Sequence, residues 1–393
     1  MLKTTSRIIT RHALAAAVLA LLTTFGGMET AKACTSLVYR DTAGGTYAGR
    51  TLELPMELPY LVSYLPPGME IASHVAGRDP LRFRTKFGIL AITVPNGSVK
   101  DLKIVEGVNE KGLTFSLLAF AGAAGPADNA AKTKAALAAI DLGAWTLGQF
   151  ETAADVKSSL TKQTVVLSAL RALGGARTPF HFVVHDRTGA SIVIEFADGK
   201  QTIYDNPLGV MTNGPEFSWH LTNMDNYSFL TNVDKSTGKF GSLSVRQPDS
   251  GIATAGLPSS NTSVGRFVRA AYYAEYAEKV APPAAMSTLA HIMNNFDRPK
   301  NITIDARGSG GLEVEGASPQ SAANYTTEYT SWTSLTDLNS RLLLIRTYDG
   351  TNYVKFDLTR LAALKEVRLI PLADVGQLSV LDATDQLIAA QVP

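Results

Sequence analysis

Cys34 is the only cysteine in 393 residues, and the chain before it reads Ala31-Lys32-Ala33. Small residues at the third and first positions before a bond are what a signal peptidase recognises. Cleavage after Ala33 would make Cys34 the first residue of the mature chain, so that a thiol and a free α-amine belong to one residue. That pair is a complete nucleophile. The thiol attacks, and an amine with a pKa of about 7.7–8.0 takes and returns a proton near neutral pH. A guanidinium close by would favour the thiolate. Arg50 is the first candidate for it, with a solvated surface charge as the plain alternative. Two other roles stay open for Cys34. One is a lipoprotein anchor, although such sites usually carry an aliphatic residue three before the cysteine and a small uncharged one two before, where this chain has Ala31 and Lys32. The other is an inert buried thiol.

Residues 1–33 read as a signal peptide. Lys3, Arg7 and Arg11 form a positive start, and Ala13 to Phe25 is apolar but too short to span a bilayer comfortably. The expected product is exported, periplasmic or secreted, with 34–393 as a single domain. Its formal net charge falls from +1 to −2 on losing four Lys/Arg and one Glu. No basic stripe or run of five like charges occurs, which argues against nucleic acid or a polybasic membrane contact as partner. A lone cysteine leaves no internal disulfide in an exported chain, so the fold must rest on its core. The six His residues show no spaced ligand set such as H-E-x-x-H, so no metal is expected. His181 and His185 alternate with apolar neighbours and read as core-edge or surface residues.

The elements that position Cys34 follow from turn chemistry and periodicity. Residues 35–40 read as a strand, 41–45 as a turn and 46–50 as the return strand, a hairpin that brings Arg50 back beside the chain start. Further strands are expected over 60–65, 87–94, 101–106 and 113–120, the last two joined by a turn at 107–112. Ala121 to Ala131 reads as a surface loop. Residues 132–160 have helical spacing, broken near Gly143 and at 149–151, with Thr152 as the N-cap of the second piece. Strands return over 180–186, 190–196, 201–204 and 209–213. Helices are expected over 217–230, 263–280 and 286–296, with a polar excursion at 235–257, and strands close the chain over 326–335, 341–347 and 353–357. Blocks of strands alternating with blocks of helices suit stacked antiparallel sheets with helices outside, an α+β fold.

Five short motifs now stand in order: Cys34-Thr35-Ser36, Gly49-Arg50-Thr51-Leu52-Glu53, the run 107–113 ending in Asn109-Glu110-Lys111-Gly112-Leu113, Met211-Thr212-Asn213-Gly214-Pro215, and Gly265-Arg266-Phe267. Together they resemble the choloylglycine hydrolase family, which includes bile salt hydrolases and penicillin V acylases. The similarity runs from Cys34 to at least Tyr329. It implies the four-layer αββα sandwich of N-terminal nucleophile hydrolases, cleavage of a linear carbon–nitrogen amide bond, and no cofactor. By position, Cys34 would be nucleophile and base, and Arg50 would lie against its sulfur. Glu53 stands where the family usually has Asp and would hold the α-amine. Asn213 would supply an oxyanion-hole donor, with a turn Asn as its plain alternative. Arg266 would support the site electrostatically, or be a helix-end surface charge. Ala119 falls where Asn or Tyr is frequent; its backbone N–H would be the second oxyanion donor.

The implied substrate is a small amide with a hydrophobic acyl group, such as a bile-salt amide, a phenoxyacetyl-penicillin or an N-acyl homoserine lactone. Leu52, Met56, Leu58 and Tyr60 either line its acyl pocket or belong to the core. The resemblance also implies a homo-oligomer, a tetramer among the forms, joined through the 235–250 excursion. The competing function is a non-catalytic exported binding or lipid-anchored protein that keeps the fold, favoured by Glu53 and Ala119.

Overall fold

The computed structural model describes residues 33–125, 134–168, 178–306 and 325–379. The signal-peptide expectation therefore lies outside the described residues, apart from Ala33, which is joined to Cys34.

The chain opens on the expected hairpin, β1 (Cys34–Arg40) and β2 (Thr46–Leu54), with Cys34 opposite Leu52 and Ser36 opposite Arg50. Asp41 makes the turn: its Oδ1 accepts from the N–H groups of Ala43 at 2.8 Å and Gly45 at 2.7 Å, while its Oδ2 accepts the Tyr47 hydroxyl at 2.7 Å. Gly44 takes the left-handed conformation (φ 83°) that this tight return requires.

Strands then run over 61–65 (β3), 89–95 (β4), 102–109 (β5), 114–119 (β6), 180–185 (β7), 191–197 (β8), 200–205 (β9) and 210–211 (β10). The last four run over 329–337 (β11), 342–347 (β12), 354–357 (β13) and 368–371 (β14). They form a six-stranded sheet, β10-β1-β2-β11-β12-β13, and an eight-stranded sheet, β9-β8-β7-β6-β5-β4-β3-β14, both antiparallel throughout. Helices α1 (Leu142–Gln149) and α2 (Ala153–Leu160) pack on the larger sheet. Helices α4 (Ser263–Tyr276) and α5 (Pro282–Met293) pack on the smaller one, and α3 (Phe217–Asn223) follows β10. The layers are helix, sheet, sheet, helix.

Strand alternation assigns each residue of β2 to a layer. A Cβ on Gly49 would lie 2.6 Å from Met293 Sδ, so glycine there lets α5 lie directly on the strand. Arg50, the next residue, points the opposite way, between the sheets.

The Ala-rich stretch before α1 departs from expectation. Residues 135–138 form a strand that pairs in parallel with Val165 and Val166 and with Asp79 and Pro80, so the helical pattern begins only with a 3-10 turn at Ala139–Asp141 that leads into α1. Open backbone edges outweighed the alanines' helix propensity. Thr152 does cap α2, its side chain accepting from the Asp155 N–H. Helix 263–280 stops at Tyr276, where Ala277 leaves helical backbone with ψ 139°, and Pro282 opens the next helix at its first turn. The expected helix 217–230 is α to Asn223 and continues as a 3-10 turn to Tyr227, and the polar excursion contains an exposed hairpin, 237–240 with 243–246. Among the described residues, no helix is long and apolar enough to cross a membrane.

Candidate active site

Cys34 is 3 % exposed, and its sulfur lies 3.8 Å from Arg50 Nη2. Arg50 is the opposite of a surface charge, at 1 % exposure. Its Nη1 donates to Val105 O at 3.0 Å and Glu106 Oε2 at 3.3 Å, its Nη2 also donates to Leu117 O, and its guanidinium sits 4.9 Å from the centre of the Trp332 ring. A planar cation with fixed donors is thus bolted to the facing sheet on one side and turned to the sulfur on the other. Glu106, which the sequence reading passed over, completes this arrangement. Burial raises its carboxyl to about 7, against the opposing pull of Arg50 and Ser116. Its only sequence signal is a charged residue inside the apolar run 104–108.

The nitrogen of Cys34 donates to Asn213 Oδ1 at 2.6 Å. The same oxygen accepts from Arg266 Nη2 at 2.8 Å. Two donors at one atom identify it as the oxygen of the carboxamide and fix the flip. Asn213 Nδ2 donates to Ala119 O at 2.7 Å, which leaves its second hydrogen for another acceptor. The Ala119 N–H faces the same edge. Its neighbour Phe120 donates to Pro179 O, just before β7, and successive residues of a strand turn their backbone groups to opposite sides.

Arg266 is 1 % exposed and therefore no surface charge. It donates to Cys34 O, to Thr35 Oγ1 at 2.9 Å and, through Nε, to Asn261 O at 3.0 Å. While Ala33 is attached there is no α-amine for Glu53 to hold. With Ala33 attached, the Cys34 nitrogen has one hydrogen, and it goes to Asn213. Glu53 holds the strand instead through its backbone N–H, which donates to Ala33 O at 2.9 Å. Its carboxylate accepts from Thr330 Oγ1 at 3.1 Å. Burial raises this carboxyl, and Arg266, Thr51, Arg298 and Thr330 oppose the rise.

One side of the sulfur opens on a cavity of about 80 Å³ whose apolar walls include Leu52, Leu54, Leu58, Tyr60, Leu117 and Phe180. Met56 does not line it; that side chain packs against the core, because the chain bends away from β2 after Leu54. Asn96, Lys103 and the hydroxyl-bearing Tyr60 add polar groups to the wall beside Arg50 and Cys34. The imidazoles of His181 and His185 are fully buried rather than at the surface, because Glu195, Thr212, Ser36 and Ser191 supply polar partners inside. No cluster of three or more His, Cys, Asp or Glu that could hold a metal occurs among the described residues.

Two antiparallel sheets packed face to face between helices, with a cysteine at the head of the first strand, define the N-terminal nucleophile hydrolase fold. A model of the linear amide C–N hydrolases, choloylglycine hydrolase family, matches residues 34–365, and the chain belongs to that family. A bile salt hydrolase/transferase of Lactiplantibacillus plantarum is 28% identical over 327 residues, 81% of this chain and 90% of that protein. A penicillin V acylase of Pectobacterium atrosepticum is 27% identical over 251 residues, 63% of this chain and 61% of its own length. Among solved structures, a mutant conjugated bile acid hydrolase from Clostridium perfringens aligns with a TM-score of 0.72 at 23% identity, covering 86% of this chain and 96% of that one.

Proposed function

We propose that this linear amide hydrolase works through Cys34 as an N-terminal nucleophile, freed by removal of residues 1–33 during export. The observation that carries the proposal is the pairing at one residue: the sulfur beside the Arg50 guanidinium at 3.8 Å, and the nitrogen against Asn213 Oδ1 at 2.6 Å. Cleavage of the Ala33–Cys34 bond turns that nitrogen into an amine. The amine takes the thiol proton, directly or through water, and the Arg50 charge stabilises the negative sulfur. Thiolate attacks the amide carbonyl. The free hydrogen of Asn213 Nδ2 and the Ala119 N–H receive the developing oxyanion. The amine passes its proton to the leaving nitrogen, the C–N bond breaks, and water hydrolyses the thioester. Arg266 holds the Cys34 carbonyl and Asn213 in register, and Glu53 receives the new ammonium hydrogens on the helix side of the strand.

The apolar cavity beside the sulfur supports an amide with a hydrophobic acyl group as substrate. Bile-salt amides, penicillin V and N-acyl homoserine lactones all present one. Self-association through the 235–250 excursion is part of the same proposal, supported by the exposed Phe240 and Leu243 on its hairpin; a monomeric mass by light scattering would reject that part.

Intact mass of the exported protein should give a chain that begins at unmodified Cys34. Wild type should hydrolyse at least one member of a panel of N-acyl amides, and Cys34→Ala should hydrolyse none. A diacylglyceryl adduct on Cys34, or equal turnover by wild type and Cys34→Ala, defeats the proposal.

A further inference from the structure

Behind Asn213 lies a buried network that the steps above do not use. His181, on β7, contacts Thr212 O through Nε2 at 2.9 Å and Glu195 Oε2 through Nδ1 at 3.3 Å. Glu195, on β8, also accepts the Phe217 N–H, at 3.0 Å to Oε2 and 3.3 Å to Oε1. Phe217 is the first residue of α3, and one turn later the same helix carries His220, whose Nε2 lies 2.8 Å from Asn213 O. The path closes on itself: one carboxylate holds one imidazole directly and the other through the start of a helix, and the two imidazoles hold consecutive carbonyls.

The hydrogens follow from the partners. A carbonyl only accepts, so both Nε2 atoms carry hydrogen. A proton must also lie between His181 Nδ1 and Glu195, since two lone pairs would repel at that distance. His220 Nδ1 has no hydrogen-bond partner among the described residues, so a second hydrogen on the ring would be buried unpaired, which favours the neutral form. Burial lowers this imidazole to about 4, and Arg266 and His181 are among the groups that disfavour a charge on it. A neutral donor close to the Arg266 cation is what the position tolerates. Stacking fixes both rings: His181 lies on Phe120 with centroids 4.9 Å apart, and His220 on Phe267 at 4.5 Å. Trp219 meets His220 edge-on at 5.7 Å. On the other side of the Asn213 residue, its N–H donates to Ser263 Oγ at 2.8 Å.

We propose that His181 and His220, tied together by Glu195, are positioning residues that clamp the Thr212 and Asn213 carbonyls and so aim the Asn213 carboxamide at the Cys34 nitrogen. The inference rests on the proposed function, in which that nitrogen is the proton carrier. With its backbone pinned at both N–H and C=O, Asn213 keeps only its side-chain torsions, and Arg266 and Ala119 settle those. A loose Asn213 would weaken the acceptor that stabilises the ammonium form of Cys34. The thiolate partnered by that ammonium would then be less populated.

His220→Phe keeps a flat ring against Phe267 and removes the donor; His220→Gln restores an N–H donor of similar reach. In the mature protein, His220→Phe is expected to lower kcat tenfold or more with KM within threefold of wild type, and His220→Gln to recover most of that loss. Because Cys34 is the sole cysteine, iodoacetamide reports on it alone. Its alkylation at pH 7 should slow threefold or more in the Phe variant and return to within twofold in the Gln variant. Should the Phe variant not fold, His220→Leu takes its place. Wild-type kcat and alkylation in the variant lacking the donor overturn the inference, as does equal impairment in the Gln variant, which would make the role one of packing. Failure of the functional reading looks different: wild type would match Cys34→Ala on every amide, and the alkylation series would then decide the inference alone.

Discussion

Replacing Arg50 by methionine removes a cation from between the sheets and leaves Glu106 behind. Glu106 is buried, 3.3 Å from Arg50, and its carboxyl is raised from an ordinary 4.5 to about 7. A carboxyl raised on folding binds more protons in the native state than in the unfolded one. Its contribution to stability is fully present below pH 4.5 and is lost as pH climbs through about 7, a swing on the order of 3 kcal/mol. Above that point the wild-type curve is flat for this group, since Arg50 accepts the ionised form as partner. Without Arg50, Ser116 alone remains to hold the carboxylate. The proton then stays on to higher pH, and stability keeps falling at about 1.4 kcal/mol per pH unit. Between pH 7 and 9 Arg50→Met should therefore lose about 3 kcal/mol relative to wild type. A pH-independent loss from the vacated Val105 and Leu117 carbonyls, about 1–3 kcal/mol each, comes on top. Urea unfolding at pH 6, 7, 8 and 9 measures this for wild type, Arg50→Met and Arg50→Met/Glu106→Gln. The double variant has no carboxyl to titrate and should lose the extra slope. Parallel curves for wild type and Arg50→Met across that range would refute the pairing of the two charges as the reason Glu106 can ionise.

Asn213→Ala removes the carboxamide that meets both the Cys34 nitrogen and Ala119, and kcat should fall by roughly 10²–10³, the usual cost of one oxyanion donor; steady-state kinetics on the best amide checks it, and an unchanged kcat would remove Asn213 from the mechanism. His185 is lowered by burial to about 4 from 6.5, so the unfolded chain protonates first on acidification. Its stabilising effect is present above pH 6.5 and lost as pH falls through about 4, and His185→Gln should flatten the acid limb of the unfolding free energy measured in urea by on the order of 3 kcal/mol. Ile140 is another apolar wall of the cavity beside the sulfur; Ile140→Trp should fill that space and raise KM for bulky acyl groups while sparing acetyl amides, a contrast readable from a series of acyl sizes at constant leaving group.

What the sequence disclosed was local. A strand over 35–40, an Asp-Thr-Ala-Gly-Gly turn and a return strand over 46–50 suffice to carry Arg50 back to the chain start, and all of that is written between Cys34 and Arg50. The partners of Arg50 are not. Val105 and Leu117 offer only backbone carbonyls, to which any residue type would be equivalent, and Glu106 shows itself only as a charge in an apolar run. His181 and His185 alternate with phenylalanine and valine, a pattern that fits a sheet edge as well as an interior. What decides the matter is whether another segment brings polar partners, and Glu195, Thr212, Ser36 and Ser191 do. The Ala-rich segment before Leu142 failed for a related reason: helix periodicity cannot register an unpaired strand edge elsewhere in the chain.

Alternation along two paired strands explains how one residue can hold both halves of the proposed chemistry. Cys34 stands opposite Leu52, so their side chains share a face, the one that looks onto the larger sheet and the apolar cavity. Arg50 occupies the same face two residues along and meets the sulfur there. Thr35 and Glu53 occupy the other face, under the α4 helix that brings Arg266. The main-chain nitrogen of Cys34 lies at the strand end between these environments and turns to Asn213. A nucleophile and its proton carrier thus receive different neighbours without competing for them: hydrophobic wall and guanidinium for sulfur, carboxamide and buried charges for nitrogen. On this arrangement Glu53 need not approach the sulfur at all, and the extra methylene relative to Asp lengthens a contact made only on the helix side. Glu53→Asp should accordingly change the amine's behaviour and leave the acyl preference intact; a shift in which acyl groups are accepted would mean that the two faces are not separate.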